Sequence, residues 1–172
     1  MHPLVEIAKS AVENYVISGA EIAAPLNIGK EFTNKKAGVF VTIEKKGRLR
    51  ACIGTYLPCY DNIAEETIYN AVAAASKDFR FGPVKKEELS DLDFTVYVLN
   101  KPEPVRFIEE LNPKKYGVIV KSFKGEKSGL LLPDLEGVET IESQIAIAAD
   151  KAEIDLAREK IELYKFTVEK YQ

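Results

Sequence analysis

Near the start of the chain, apolar residues recur at three- and four-residue steps: Leu4, Val5, Ala8, Ala11, Val12, Tyr15 and Val16. That spacing predicts an amphipathic helix over 3–18, with Pro3 suited to its first turn and Gly19 to its exit. Residues 20–37 keep no period and carry Pro25 and Gly29, which predicts a long loop with short pieces of structure. The pattern then becomes that of a hairpin, with a strand over 38–43, a turn over 44–47 and a returning strand over 48–53. A loop around Pro58 follows, and Asp61 is placed to cap a helix reaching Lys77. One face of that helix carries Ile63, Ala64, Thr67, Ile68, Ala71, Val72 and Ala75, mostly small, so it can lie close against a sheet. The 78–83 segment ends it, because a proline disfavours helix at the residue before it.

Further strands are predicted over 93–99, 116–122 and 129–132, the last two around a Lys124-Gly125 turn and the last ended by Pro133. A helix is predicted over 139–151 with Ile141, Ile145 and Ala148 inward, and continuing helix over 155–166. Helix, hairpin, helix, strands and helix in that order predict an α+β fold, mostly antiparallel sheet with flanking helices. With 172 residues and no internal repeat or linker, one domain over 1–172 is expected.

Composition narrows the function classes. Hydrophobic residues make up 46% of the chain and the net charge is −3, so a sizeable core is available and disorder is excluded. The charge argues against a general nucleic-acid or membrane-surface binder, and the apolar runs are far too short to span a bilayer. No basic, apolar and small-residue leader opens the chain, and a soluble cytoplasmic protein is the plain reading. Two cysteines are too few for a disulfide framework or a four-ligand zinc site, and neither a metal nor a cofactor is expected. The one histidine, His2, stands beside Met1, where chain ends usually fray. Histidine-based triads and metal sites are thereby weakened.

Candidate chemistry centres on Arg50 and Cys52. Two apart in a strand, they share a face, with Arg48 on the same side and Leu49, Ala51 and Ile53 on the other. A guanidinium beside a thiol lowers its pKa, making Cys52 a candidate nucleophile and Arg50 its stabiliser. The alternatives are a cysteine that serves as a small core residue and an arginine in a strand-edge ion pair. Cys59 follows a proline in a loop and is expected to pack only, although a Cys52–Cys59 disulfide is conceivable. In the Asp78-Phe79-Arg80-Phe81 run, Arg80 holds an anion while a ring stacks on a flat ligand, or Asp78 and Arg80 pin a loop whose rings enter the core. Gly129 would allow close backbone approach in a buried strand, and Asp134 is the one acid or base beside it. Scattered lysine doublets read as solvated surface.

Taken in order, the segments Gly38–Ile43, Leu49-Arg-Ala-Cys-Ile-Gly54, Asp78–Phe81, Ser128-Gly-Leu-Leu-Leu-Pro133 and Lys151-Ala152 resemble the AMMECR domain. The prokaryotic branch of that family is called AmmeMemoRadiSam system protein A. The resemblance implies a compact α+β domain of two sub-lobes, acting beside a Memo-type protein and a radical SAM enzyme, and supplies no established reaction. The family's Leu-Arg-Gly-Cys-Ile-Gly falls on Leu49 to Gly54, with Ala51 in place of glycine. Asp134 stands where a glutamine is expected, and Glu153 replaces a glycine. Two functions follow. Either Cys52 is a reactive thiol, with Arg48, Arg50, Arg80, Asp78, Gly54 and Asp134 forming the site for a small anion, or the domain is a non-catalytic module docking onto those partners.

Overall fold

The computed structural model describes residues 1–25 and 27–172; Leu26, within the predicted 20–37 loop, lies outside the described residues. The chain divides into two compact units, Met1–Leu99 with Glu169–Gln172, and Asn100–Val168.

In the first unit, α1 (Pro3–Ser18) and α3 (Ile63–Lys77) pack on a four-stranded sheet, with a single-turn helix, α2 (Lys30–Thr33), between them in sequence. The strands are β1 (Val39–Lys45), β2 (Arg48–Gly54), β3 (Leu92–Leu99) and, from the end of the chain, β8 (Val168–Tyr171), in the order β2-β1-β3-β8. The core joins Leu4, Ala8, Ala11 and Val12 of α1, Ala64, Ile68, Ala71 and Ala75 of α3, and Val39, Val41, Ile43, Ala51 and Val96 of the sheet. The predicted small-residue face of α3 is the face that the sheet receives.

Its cap is Asn62, whose side chain accepts the Glu65 N–H; Asp61, the expected cap, instead pairs with Lys36 at 2.6 Å. His2 is also not frayed. It caps α1 by accepting the Leu4 N–H, and its ring stacks on Tyr171 with centroids 4.0 Å apart. The returning C-terminal strand supplies that ring and ties the N-terminus down.

The second unit carries β4 (Glu103–Pro104), β5 (Gly117–Ser122), β6 (Ser128–Leu131) and β7 (Ile161–Phe166), in the order β4-β7-β5-β6, with α4 (Ile141–Lys151) against β5 and β6. Its pairings are antiparallel, as are those of β1 with β2 and β3, which makes the fold the expected α+β type. Val118, Val120, Leu131, Ile145, Ala148 and Ile154 form its core. A Cβ on Gly129 would fall 1.8 Å from the Ala148 carbonyl oxygen, so only glycine lets α4 settle this closely on β6.

The helix predicted over 155–166 is overturned. Asp155 closes a turn, its carbonyl accepting the Arg158 and Glu159 N–H groups, and β7 follows. Ile161 and Leu163 alternate toward the core in that strand, a two-residue period that puts Glu162 and Tyr164 on the other face.

Candidate functional site

The hairpin of β1 and β2 turns through Lys46 and Gly47, both at positive φ (53° and 72°), as a two-residue turn. Its register holds one irregularity: Ile43 faces Ala51 but Glu44 faces Leu49, leaving Arg50 as an extra residue in a β-bulge. Directly opposed residues share a face, so the bulge transfers Leu49 to the side of Thr42 and Cys52 and sends Arg48 to the other. The shared face expected for Arg48, Arg50 and Cys52 is therefore broken. Arg48 is exposed, and Ala51 is buried in the core, away from Cys52.

Released from the alternation, Arg50 reaches over the edge of the sheet. Its Nε and Nη2 donate to the two carboxylate oxygens of Glu88 at 3.0 and 2.9 Å, and Nη1 and Nη2 donate to the Gly82 and Pro83 carbonyls. Glu88 also accepts from Lys45 Nζ and from the Lys85 N–H. Hydrogen bonding from Arg50, more than any other cause, holds the Glu88 carboxyl far below the usual carboxylate range. Arg50 is thus a structural tie, and its donors are already engaged within the protein.

The cation beside Cys52 is Arg80. Strand β2 lies at the edge of its sheet, and the peptide groups of Cys52 meet side chains rather than another strand. The Cys52 N–H donates to Asp78 Oδ2 at 2.9 Å, and its carbonyl accepts from Arg80 Nη2 at 3.1 Å. Asp78 and Arg80 are themselves joined, Nη2 to Oδ2 at 2.7 Å and Nε to Oδ1 at 2.9 Å. Together the pair offers one acceptor and one donor, as a neighbouring strand would. Asp78 is 4% exposed, and the Arg80 bonds hold its carboxyl below the ordinary aspartate value despite the opposing effect of burial. The Cys52 sulfur is half-buried and accepts a hydrogen bond from the Thr42 hydroxyl at 3.2 Å. The hydroxyl and the Arg80 cation act in favour of a thiolate here, while the Asp78 carboxylate and partial burial act against it.

The Asp78–Phe81 run thus does half of what was expected. Its charges pin the segment, yet the rings do not enter the core: Phe79 is 94% exposed and Phe81 is 41% exposed beneath the Arg80 guanidinium. Gly54 sits opposite Phe40, whose ring occupies the place of a Cβ, which makes its role one of packing. Asp134 belongs to the second unit, where it takes a positive φ of 56° and its N–H meets the Pro113 carbonyl.

One group escaped the sequence reading. Glu66, fully buried on α3, accepts the Cys59 and Tyr60 N–H groups at 2.7 and 2.8 Å and the Thr55 hydroxyl. It anchors the loop that follows β2, while Cys59 itself is exposed. Its signal was present in the sequence: Glu66 and Asn70 interrupt the apolar face of the helix four residues apart.

The AMMECR1 family model matches residues 5–171. A Thermotoga maritima protein is 51% identical over 172 residues, covering 99% of this chain and 98% of its own length. A Clostridium acetobutylicum protein is 48% identical, but this chain spans only 36% of its length. An uncharacterized protein of Pyrococcus horikoshii, known from its crystal structure, is 34% identical with a TM-score of 0.89, covering 98% of this chain and 89% of that one. The chain belongs to the AMMECR1 family. No helix among the described residues is long and apolar enough to cross a membrane.

Proposed function

We propose that this AMMECR1 domain is a thiol-based accessory domain with Cys52 as its nucleophile, working beside a Memo-type protein and a radical SAM enzyme. The observation that carries the reading is the setting of Cys52: a peptide fixed on both sides by the Asp78–Arg80 pair and a sulfur that accepts the Thr42 hydroxyl. In this reading Arg80 and the Thr42 hydroxyl stand in for the missing histidine base by favouring the ionised form of the thiol. Asp78 is not that base, since its oxygens are engaged and its proton affinity is lowered. An anionic substrate would meet Arg80, whose side chain is 45% exposed, rather than Arg50, where Glu88 already stands. The partners rest on the family resemblance, and an accessory role fits a domain that spans 36% of its Clostridium relative.

Alkylation by iodoacetamide, followed by mass at Cys52 and Cys59 across pH, tests the reading. Cys52 is expected to react with a midpoint well below the ordinary thiol value of about 8.5, and Arg80→Gln to raise that midpoint. Arg50→Ala loosens the same segment without removing the neighbouring cation, so it should move the midpoint less. A Cys52 inert until unfolding, or indifferent to Arg80, sinks the proposal.

A further inference from the structure

The turn after α3 presents an aromatic ring to solvent and holds it there. Its two ends are buried, Asp78 at 4% and Val84 at 6% exposure. Between them the Phe81 and Gly82 N–H groups bond to the Asp78 carbonyl, and the Val84 N–H bonds to the Ala75 carbonyl at 2.7 Å. Arg50 draws in the Gly82 and Pro83 carbonyls from the sheet side. Phe79, at the tip, is 94% exposed. Lone exposed apolar residues are ordinary, but this ring stands on a pinned turn next to an open cleft of about 540 Å³ whose lining includes Phe81, Pro83, Arg50, Lys85, Glu87 and Glu88. With the turn's backbone already pinned, covering the ring costs side-chain freedom but little main-chain freedom, which suits an interface anchor.

The charges choose the occupant. Residues 77–88 carry Lys77, Arg80, Lys85 and Lys86 against Asp78, Glu87 and Glu88, in a chain whose net charge is −3; Asp78 is paired with Arg80, which leaves three lysines facing Glu87 and Glu88. Glu88, on the cleft wall, is already answered by Arg50 and Lys45. We propose that the Phe79–Phe81 turn and the adjoining cleft dock an acidic segment of a partner protein that brings apolar side chains to the two rings. Apolar contact would centre on Phe79, with the lysines steering the acids around it. This surface shares Arg80 with the thiol reading but does not rest on it, and either can fail alone.

The test uses fluorescence anisotropy with three labelled 15-residue peptides: glutamate alternating with leucine and phenylalanine, the same with lysine for glutamate, and the same with serine for the apolar residues. The first is expected to bind the whole protein, more weakly as salt rises, and the other two at least about tenfold more weakly. Phe79→Ala should weaken it by about thirtyfold, the hot-spot range, and Lys85→Glu with Lys86→Glu by a comparable factor. Phe107→Ala, which removes a ring 69% exposed in the other unit, should leave binding unchanged. Equal binding of the acidic and basic peptides, equal losses from Phe79 and Phe107, or an unaltered Phe79→Ala would overturn the proposal. So would light scattering showing a dimer that Phe79→Ala dissolves, since the occupant would then be a second copy. Cys52 alkylation in Phe79→Ala, expected to be unchanged, keeps this failure separate from that of the thiol reading.

Discussion

Two edge strands of this protein are secured in opposite ways. At β2 the outward peptide groups of Cys52 are met in the plane of the sheet by Asp78 and Arg80, while Arg50 and Glu88 tie the same segment one step along. At β6 the strand is held from above, by α4 resting on Gly129, and Lys151 reaches the Leu130 carbonyl. The first closure is made of charges and can be titrated or displaced. The second is made of shape. An edge sealed by side chains leaves its surroundings free to carry a thiol and exposed rings, whereas a strand covered by a helix gains stability from packing.

The shape-held edge should be the harder to alter. Gly129→Ala places a methyl group against the Ala148 carbonyl, with backbone on both sides and no flexible side chain to yield. A loss of about 3 kcal/mol or more in urea unfolding is expected, with hydrogen exchange rising first in 117–151. Full protection in that range would mean that α4 shifts at little cost. At β2, Asp78→Ala leaves the Cys52 N–H and the Arg80 guanidinium without their acceptor. Because Arg80 is partly solvated, a smaller loss of about 2 kcal/mol is expected, with faster exchange confined to 50–54 and 78–84.

The charged closure should also respond to acid. Glu88 and Asp78 both have folded-state pKa values below their ordinary values of 4.5 and 3.8. Their stabilisation is therefore present above those values and is lost as pH falls through the folded-state values. Stability measured from pH 5 downward should decline, and Glu88→Gln should flatten part of that decline while lowering stability at pH 7. An unchanged slope in Glu88→Gln would remove the electrostatic account of this edge.

How much of this was legible follows from the range of each interaction. Helices α1, α3 and α4 and the β1–β2 hairpin are written in local periods, and the sequence reading placed them within a few residues. Strand β7 was lost because its alternation lasts only six residues and its leucine, lysine and glutamate also suit a helix. The bulge at Arg50 leaves no mark in composition, yet one extra residue reversed the faces of Leu49 and Arg48. Cys52, Asp78 and Arg80 were legible as candidates. Their joining was not, because it spans 26 and 28 residues and runs through the main chain of Cys52 rather than its sulfur. His2 was misjudged for the same reason, since the ring that holds it belongs to the far end of the chain.

The smallest effect lies where the sequence departs from its family resemblance. Glu153, where glycine was expected, follows the end of α4 with a φ of 54°, a left-handed conformation that costs a residue with a Cβ about 1 kcal/mol. Its carbonyl accepts Lys127 Nζ at 2.6 Å, a bond that belongs to the backbone and survives substitution. Glu153→Gly should thus relieve strain without removing that contact. Part of the gain is offset by the larger freedom of glycine in the unfolded chain, so a net stabilisation of about 0.5 kcal/mol is expected. Thermal unfolding of Glu153→Gly beside Glu153→Ala separates the causes: alanine keeps the Cβ and should gain nothing. If alanine gains as much as glycine, the relief comes from removing the carboxylate itself, and backbone strain is not what this position stores.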